Sequence, residues 1–211
     1  MIDLPDRLTT DGVRSLEIRW ILPGPMDTAV KGWFGRFPTA EESREDSYVF
    51  DPLLHGLSVK VRAGGALEVK AYSGSPGILE VPRRARGRLE AWRKWTFPTR
   101  RVSRGADAPA WQPVRKRRRI SRFSSGSGWA PAGARELGEQ PQCEVELTDI
   151  YAAGEIWWTL GFEATGPGDL LAGELEAAAD LVFARALPGL EPGLWQSRSY
   201  AQWLSQPSAP D

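Results

Sequence analysis

The chain has 211 residues, 41% of them hydrophobic, with 27 Lys/Arg balanced by 27 Asp/Glu, ten Trp, one His and one Cys. That length suits one domain with a sizeable core. A lone cysteine excludes an internal disulfide and a cysteine metal cluster, and a lone histidine argues against a His-centred triad or a His-rich zinc site.

The N-terminal Met1–Asp6 lacks the basic and apolar regions of a signal peptide. No later stretch is apolar enough to span a bilayer, so the expected location is cytoplasmic, with no membrane partner. Ser15–Leu22 alternates apolar and polar residues and stops at Pro23-Gly24-Pro25, which predicts a strand and a turn. Ser47–Phe50 is a short strand candidate, and His55 falls in a turn-like stretch. Leu57–Arg62 and Leu67–Tyr72 alternate strictly around Gly64-Gly65, a hairpin signal. Leu89–Phe97 reads as a strand with Trp92 and Trp95 on opposite faces. Residues 98–110 read as a loop, and Trp111–Phe123 as a long basic strand.

Residues 124–141 are rich in Ser, Gly and Pro and predict a flexible internal connection. Cys143–Ile150 and Glu155–Ala164 form a second hairpin pair. Asp169–Leu187 carries apolar residues at helical spacing, with Gly168 or Asp169 as its cap. A short helix over Ser199–Leu204 and a frayed tail over 206–211 complete the chain. The expected fold is one β-rich α+β domain over residues 1–211. About eight antiparallel strands would make a closed or nearly closed barrel, with C-terminal helices.

Charge is unevenly spread. Residues 83–122 hold fifteen Arg/Lys against Glu90 and Asp107, whereas residues 123–211 hold three basic and thirteen acidic side chains. Such separation predicts an anion-facing region, or two halves that neutralise one another in the fold. Because side chains alternate along a strand, Ser58, Lys60 and Arg62 share a face, as do Glu68, Lys70 and Tyr72, and Glu144, Glu146 and Thr148. Arg115, Arg117 and Arg119 share one face of the basic strand; Lys116, Arg118 and Arg122 share the other. The opposite faces of the two hairpins are apolar (Leu57, Val59, Val61; Leu67, Val69, Ala71; Val145, Leu147) and call for a core. In a sandwich the charged face would be solvated. In a barrel covered by helices it would point inward, where unpaired charge is costly. An enclosed set of Arg, Lys and Glu therefore suits a phosphate-bearing anion, which Arg grips bidentately, with Mg²⁺ or Mn²⁺ on the carboxylates.

In order along the chain, Leu16-Glu17-Ile18-Arg19, Val59-Lys60-Val61-Arg62, Leu67-Glu68-Val69-Lys70, Val114-Arg115-Lys116-Arg117, Cys143-Glu144-Val145-Glu146, Leu160-Gly161-Phe162-Glu163 and Ser197–Leu204 resemble the CYTH or triphosphate-tunnel family. The resemblance implies a closed antiparallel β-barrel and metal-dependent action on a phosphorylated small molecule or polyphosphate. It implies basic contacts at Lys60, Arg62, Lys70, Arg115 and Arg117. It implies metal-holding carboxylates at Glu17, Glu144, Glu146 and Glu163, with Mg or Mn as the cofactor. The first strand departs from the family's Glu-x-Glu-x-Lys, since Arg19 and Ile21 follow Glu17. Thr165 stands where a second glutamate would follow Glu163. These departures favour anion binding over cleavage. Two other functions fit the composition. A calycin-like carrier or chromophore-handling barrel would use the Trp residues as a ligand wall. A nucleic-acid binder would use Arg115–Arg119.

Overall fold

The computed structural model describes residues 12–49, 56–62, 65–98, 111–131 and 140–205. His55, most of the 98–110 loop and the 206–211 tail lie outside the described residues. In chain order the elements are β1 (Val13–Pro23), α1 (Thr28–Phe34), β2 (Ala40–Val49), β3 (Leu57–Arg62), β4 (Ala66–Val81) and β5 (Ala85–Pro98). There follow β6 (Trp111–Ser124), β7 (Gly128–Pro131), β8 (Gln142–Ala152), β9 (Glu155–Thr165), α2 (Leu171–Phe183) and α3 (Tyr200–Leu204).

Eight strands hydrogen-bond in the order β2-β3-β4-β5-β1-β9-β8-β6, and β6 also pairs with β2, which closes the ring. Every pairing is antiparallel. The fold is the β-rich α+β barrel that the alternation pattern predicts. A ninth strand, β7, extends the end of β6 through Phe123↔Trp129. The stretch read as a flexible connection thus contains a strand and a turn over 125–127; residues 132–139 lie outside the described residues.

Period-two alternation gives the strands an inner and an outer face. Outward residues Leu16, Ile18, Trp20, Val145, Leu147, Leu160 and Phe162 pack under α2, whose Leu171, Leu175, Ala178, Ala179, Val182 and Phe183 are buried. Trp20 meets Phe162 and Phe183 edge-on, with centroids 6.2 and 5.8 Å apart. Each such ring contributes about 1.5–3 kcal/mol by burial. Buried Glu174 of α2 accepts hydrogen bonds from the Ser125 amide (2.9 Å) and hydroxyl (2.7 Å), pinning the β6–β7 turn to the helix. Residue Leu170, not Gly168 or Asp169, occupies the N-cap of α2, without a side-chain hydrogen bond. The short C-terminal helix α3 has a full capping box between Ser199 and Gln202.

A second apolar cluster lies inside the ring. Ile21, Tyr48, Val114, Ile150 and Ala152 meet Trp203 and Leu204 of α3 and fill one end of the barrel. The outer face of β3 and β4 departs from the expectation of a covered core. Val59, Val61, Leu67 and Val69 are half-buried and Leu57 is exposed, because α2 lies over β1, β8 and β9 instead. Among the described residues, no helix is long and apolar enough to cross a membrane.

Candidate functional site

Ring closure turns the polar residues of β1 to β6, β8 and β9 toward one lumen. Eight cationic side chains line it: Arg19, Arg44, Lys60, Arg62, Lys70, Lys94, Lys116 and Arg118. Five carboxyls join them: Glu17, Glu68, Glu90, Glu146 and Glu163. Ser199, Tyr200 and Ala201 at the start of α3 complete the wall, and the free volume is about 70 Å³. The side chains therefore nearly fill the space, and most of the charged ones are held by a neighbour on another strand.

Three ion clusters organise the lining. In the first, fully buried Asp46 of β2 meets Arg44 at 3.2 Å, Lys116 at 3.3 Å and Lys60 at 3.5 Å. Burial opposes its charge, but Lys60, Lys116 and Arg44 outweigh it and hold the carboxyl at about 2. Lys60 also reaches Glu68 at 2.9 Å, and Arg62 reaches the other oxygen at 3.0 Å. Those cations overcome burial and keep Glu68 at about 2. In the second cluster, Glu146 takes Arg19 Nη1 at 2.5 Å on one oxygen and Arg118 Nε at 2.9 Å on the other. Arg118 Nη1 continues to Glu42 at 2.5 Å. Burial again opposes the charge, yet Arg118, Arg19 and Lys116 hold Glu146 well below the usual carboxylate range. In the third, Lys70 donates to Glu17 at 2.6 Å and lies 3.6 Å from Glu163, which Lys94 approaches at 3.5 Å.

Glu90 behaves differently. It stands opposite Glu17 in the β1–β5 register. One oxygen accepts the Trp92 indole N–H at 3.2 Å; the other is buried without a hydrogen-bond partner. Burial is the largest influence and lifts it to about 7. The Trp92 hydrogen bond opposes this and the Glu17 charge adds to it.

Several residues expected from the sequence meet in this lumen: Lys60, Arg62, Lys70, Glu17, Glu146 and Glu163. Glu144 points the same way but pairs with Arg122 at 3.1 Å, away from the main cavity. Arg115 and Arg117 are a correction. Their side chains are 71% and 60% exposed on the outer face, where they pair with Glu45 and Glu41 of β2. The inward positions of β6 belong to Lys116 and Arg118. The run Arg115–Arg119 is charged on both faces, so alternation by itself could not choose between them. Sequence reading also missed Arg44 and Asp46, because Glu41–Asp46 is polar throughout and lacks alternation; it is a strand through its pairing with β6 and, from Asp46 on, with β3. Glu90 and Lys94 were legible as alternating residues of a predicted strand, but the surplus of nearby arginines obscured them.

The carboxylates expected to hold Mg²⁺ or Mn²⁺ do not fit a metal. Among the described residues, no three His, Cys, Asp or Glu side chains come together as a metal-holding group. Arg19 and Arg118 occupy both oxygens of Glu146; Lys70, Lys94 and Arg122 engage Glu17, Glu163 and Glu144.

No family model and no curated protein matches the chain. Solved structures do. A conserved hypothetical protein from Pyrococcus furiosus matches at 12% identity and a TM-score of 0.47, over 89% of this chain and 98% of that one. A Hippeastrum protein described as having a dominant triphosphatase activity matches at 11% identity and 0.41, over 83% and 91%. The S. pombe RNA triphosphatase, in complex with the Spt5 CTD, matches at 11% and 0.40, over 82% and 79%. The likenesses are weak, and the lumen's own residues decide what it can hold.

Proposed function

We propose that the barrel binds a phosphorylated small molecule or inorganic polyphosphate in its lumen. The observation that carries this reading is a surplus of cations: eight basic side chains meet five lining carboxyls plus Asp46 and Glu42, and one of the seven, Glu90, is lifted to about 7. Lys and Arg carry more N–H donors than their carboxylate partners use, and phosphate oxygens can take the remainder.

Calorimetric titration with tripolyphosphate and ATP tests the proposal. Wild type should bind at least one of them, and Arg62→Gln should weaken that binding roughly tenfold or more. Phosphate release with Mg²⁺ or Mn²⁺ is the separate readout for hydrolysis. Absence of binding heat with both ligands would sink the proposal. The other two functions find less support. Among the described residues, Trp92 is the one Trp that lines the main cavity, and Trp203 is packed into the apolar plug at one end of the barrel, so the Trp residues do not form a ligand wall. Outward Arg115, Arg117 and Arg119 face Glu45, Glu41 and Asp149, which neutralise the basic run.

A further inference from the structure

The centre of the lumen holds a three-residue row across neighbouring strands: Arg19 on β1, Gly161 on β9 and Glu146 on β8 are directly opposed. The middle position has no side chain. A Cβ there would lie 2.7 Å from the Arg19 guanidinium. Arg19 therefore passes over Gly161 to reach Glu146 at 2.5 Å and Thr159 Oγ1 at 3.1 Å. The Tyr200 ring lies 4.8 Å from its guanidinium carbon. Four neighbours on three elements thus fix one cation among the lumen's carboxylates.

We infer that the lumen binds its anion without a divalent metal, and that Arg19 is the built-in cation that makes one unnecessary. This rests on the anion-binding reading above. Mg²⁺ requires near-octahedral oxygen ligation and reluctantly sheds its water, whereas here Arg19 and Arg118 hold both oxygens of Glu146, and Lys70 and Lys94 hold Glu17 and Glu163. A divalent ion would also enter a lining whose eight cations outnumber its carboxyls even when Asp46 and Glu42 are counted. A guanidinium needs no loading, stays charged at every working pH and presents a planar fork of donors to phosphate. Arg19 is a binding residue in this scheme, and Gly161 and Tyr200 position it.

Two measurements on the full chain test this. The first is electron paramagnetic resonance of Mn²⁺ added to wild type without phosphate. No stoichiometric uptake is expected at millimolar Mn²⁺; uptake by wild type that Glu146→Gln abolishes would overturn the inference. The second is calorimetry of tripolyphosphate in EDTA. Binding should persist in the chelator, and Arg19→Gln should weaken it roughly tenfold or more, without recovery on adding Mg²⁺. Wild-type binding that requires Mg²⁺, or an Arg19→Gln chain that binds as tightly as wild type, would refute it. If tripolyphosphate binds in neither buffer, the proposed ligand fails, and the Mn²⁺ measurement still decides the metal question. That arm uses wild type, so it stands even if Arg19→Gln fails to fold.

Discussion

Lys116 and Asp46 meet at 3.3 Å inside the barrel, with the Tyr48 hydroxyl 2.6 Å from the same ammonium and the Tyr200 ring 3.9 Å from it. The pair joins β6 to β2 at the pairing that closes the ring. Burial and the nearby Lys60 push the Lys116 ammonium well below its usual range, while Asp46 supports its charge. Asp46→Asn leaves Lys116, Lys60 and Arg44 without their common carboxylate. The expected loss is about 3–5 kcal/mol, the cost of an uncompensated buried charge. Urea unfolding checks it, and a loss below about 1 kcal/mol would count against Asp46 as the closing contact.

The inward and outward faces of β6 should separate cleanly in binding. Arg118→Ala removes the partner of Glu146 and Glu42 in the lumen, and tripolyphosphate binding should fall roughly tenfold or more. Arg117→Ala removes a surface pair with Glu41, and both binding and stability should change little. Calorimetry on the two variants checks the facing directly. Equal losses in both would contradict the register.

Gly161→Ala tests the close approach of Arg19. The added methyl displaces the guanidinium that passes over it and weakens the Arg19–Glu146 contact. A stability loss of about 1–3 kcal/mol is expected from overpacking, together with weaker tripolyphosphate binding. Thermal melting and calorimetry of the variant would show both changes, and an unchanged variant would mean that the row is loosely packed.

Stability should fall as pH rises from about 4.5 toward 7 because of Glu90. Its folded value is about 7 and its unfolded value near 4.5. The folded state therefore keeps a proton that the unfolded state has lost, and the favourable contribution, complete below about 4.5, disappears as pH rises to about 7. The full change is roughly 3 kcal/mol. Asp46 and Glu68, both held at about 2, act in the opposite sense: their contribution is present above the unfolded values near 4 and is lost as pH falls toward 2. Denaturant titrations from pH 5 to 8 should show the neutral-range decline in wild type and a flatter profile in Glu90→Gln. Parallel profiles would remove Glu90 as the cause.

The sequence by itself determined most of the strands and their two-sidedness. Period-two alternation in Leu57–Arg62, Leu67–Tyr72 and Cys143–Ile150 needs no tertiary information, because side-chain direction along a strand is a property of the pleated backbone. It therefore told which of Lys60, Arg62, Lys70, Glu17, Glu146 and Glu163 share a face. It also placed α2 as the apolar partner, since helical spacing is equally local. Only the tertiary structure decided which face became the lumen where both are charged. On β6, partner strands β2 and β8 turn Lys116 and Arg118 inward and leave Arg115 and Arg117 in solvent. Only it made a strand of the polar stretch around Asp46, whose β-form depends on pairing with arginines seventy residues away. And only it brought Arg19 over Gly161 to Glu146, a contact across 127 positions of chain. Local pattern fixes where a side chain points relative to its neighbours; ring closure fixes what it points at, and so whether a carboxylate is left for a metal or is already held by a guanidinium.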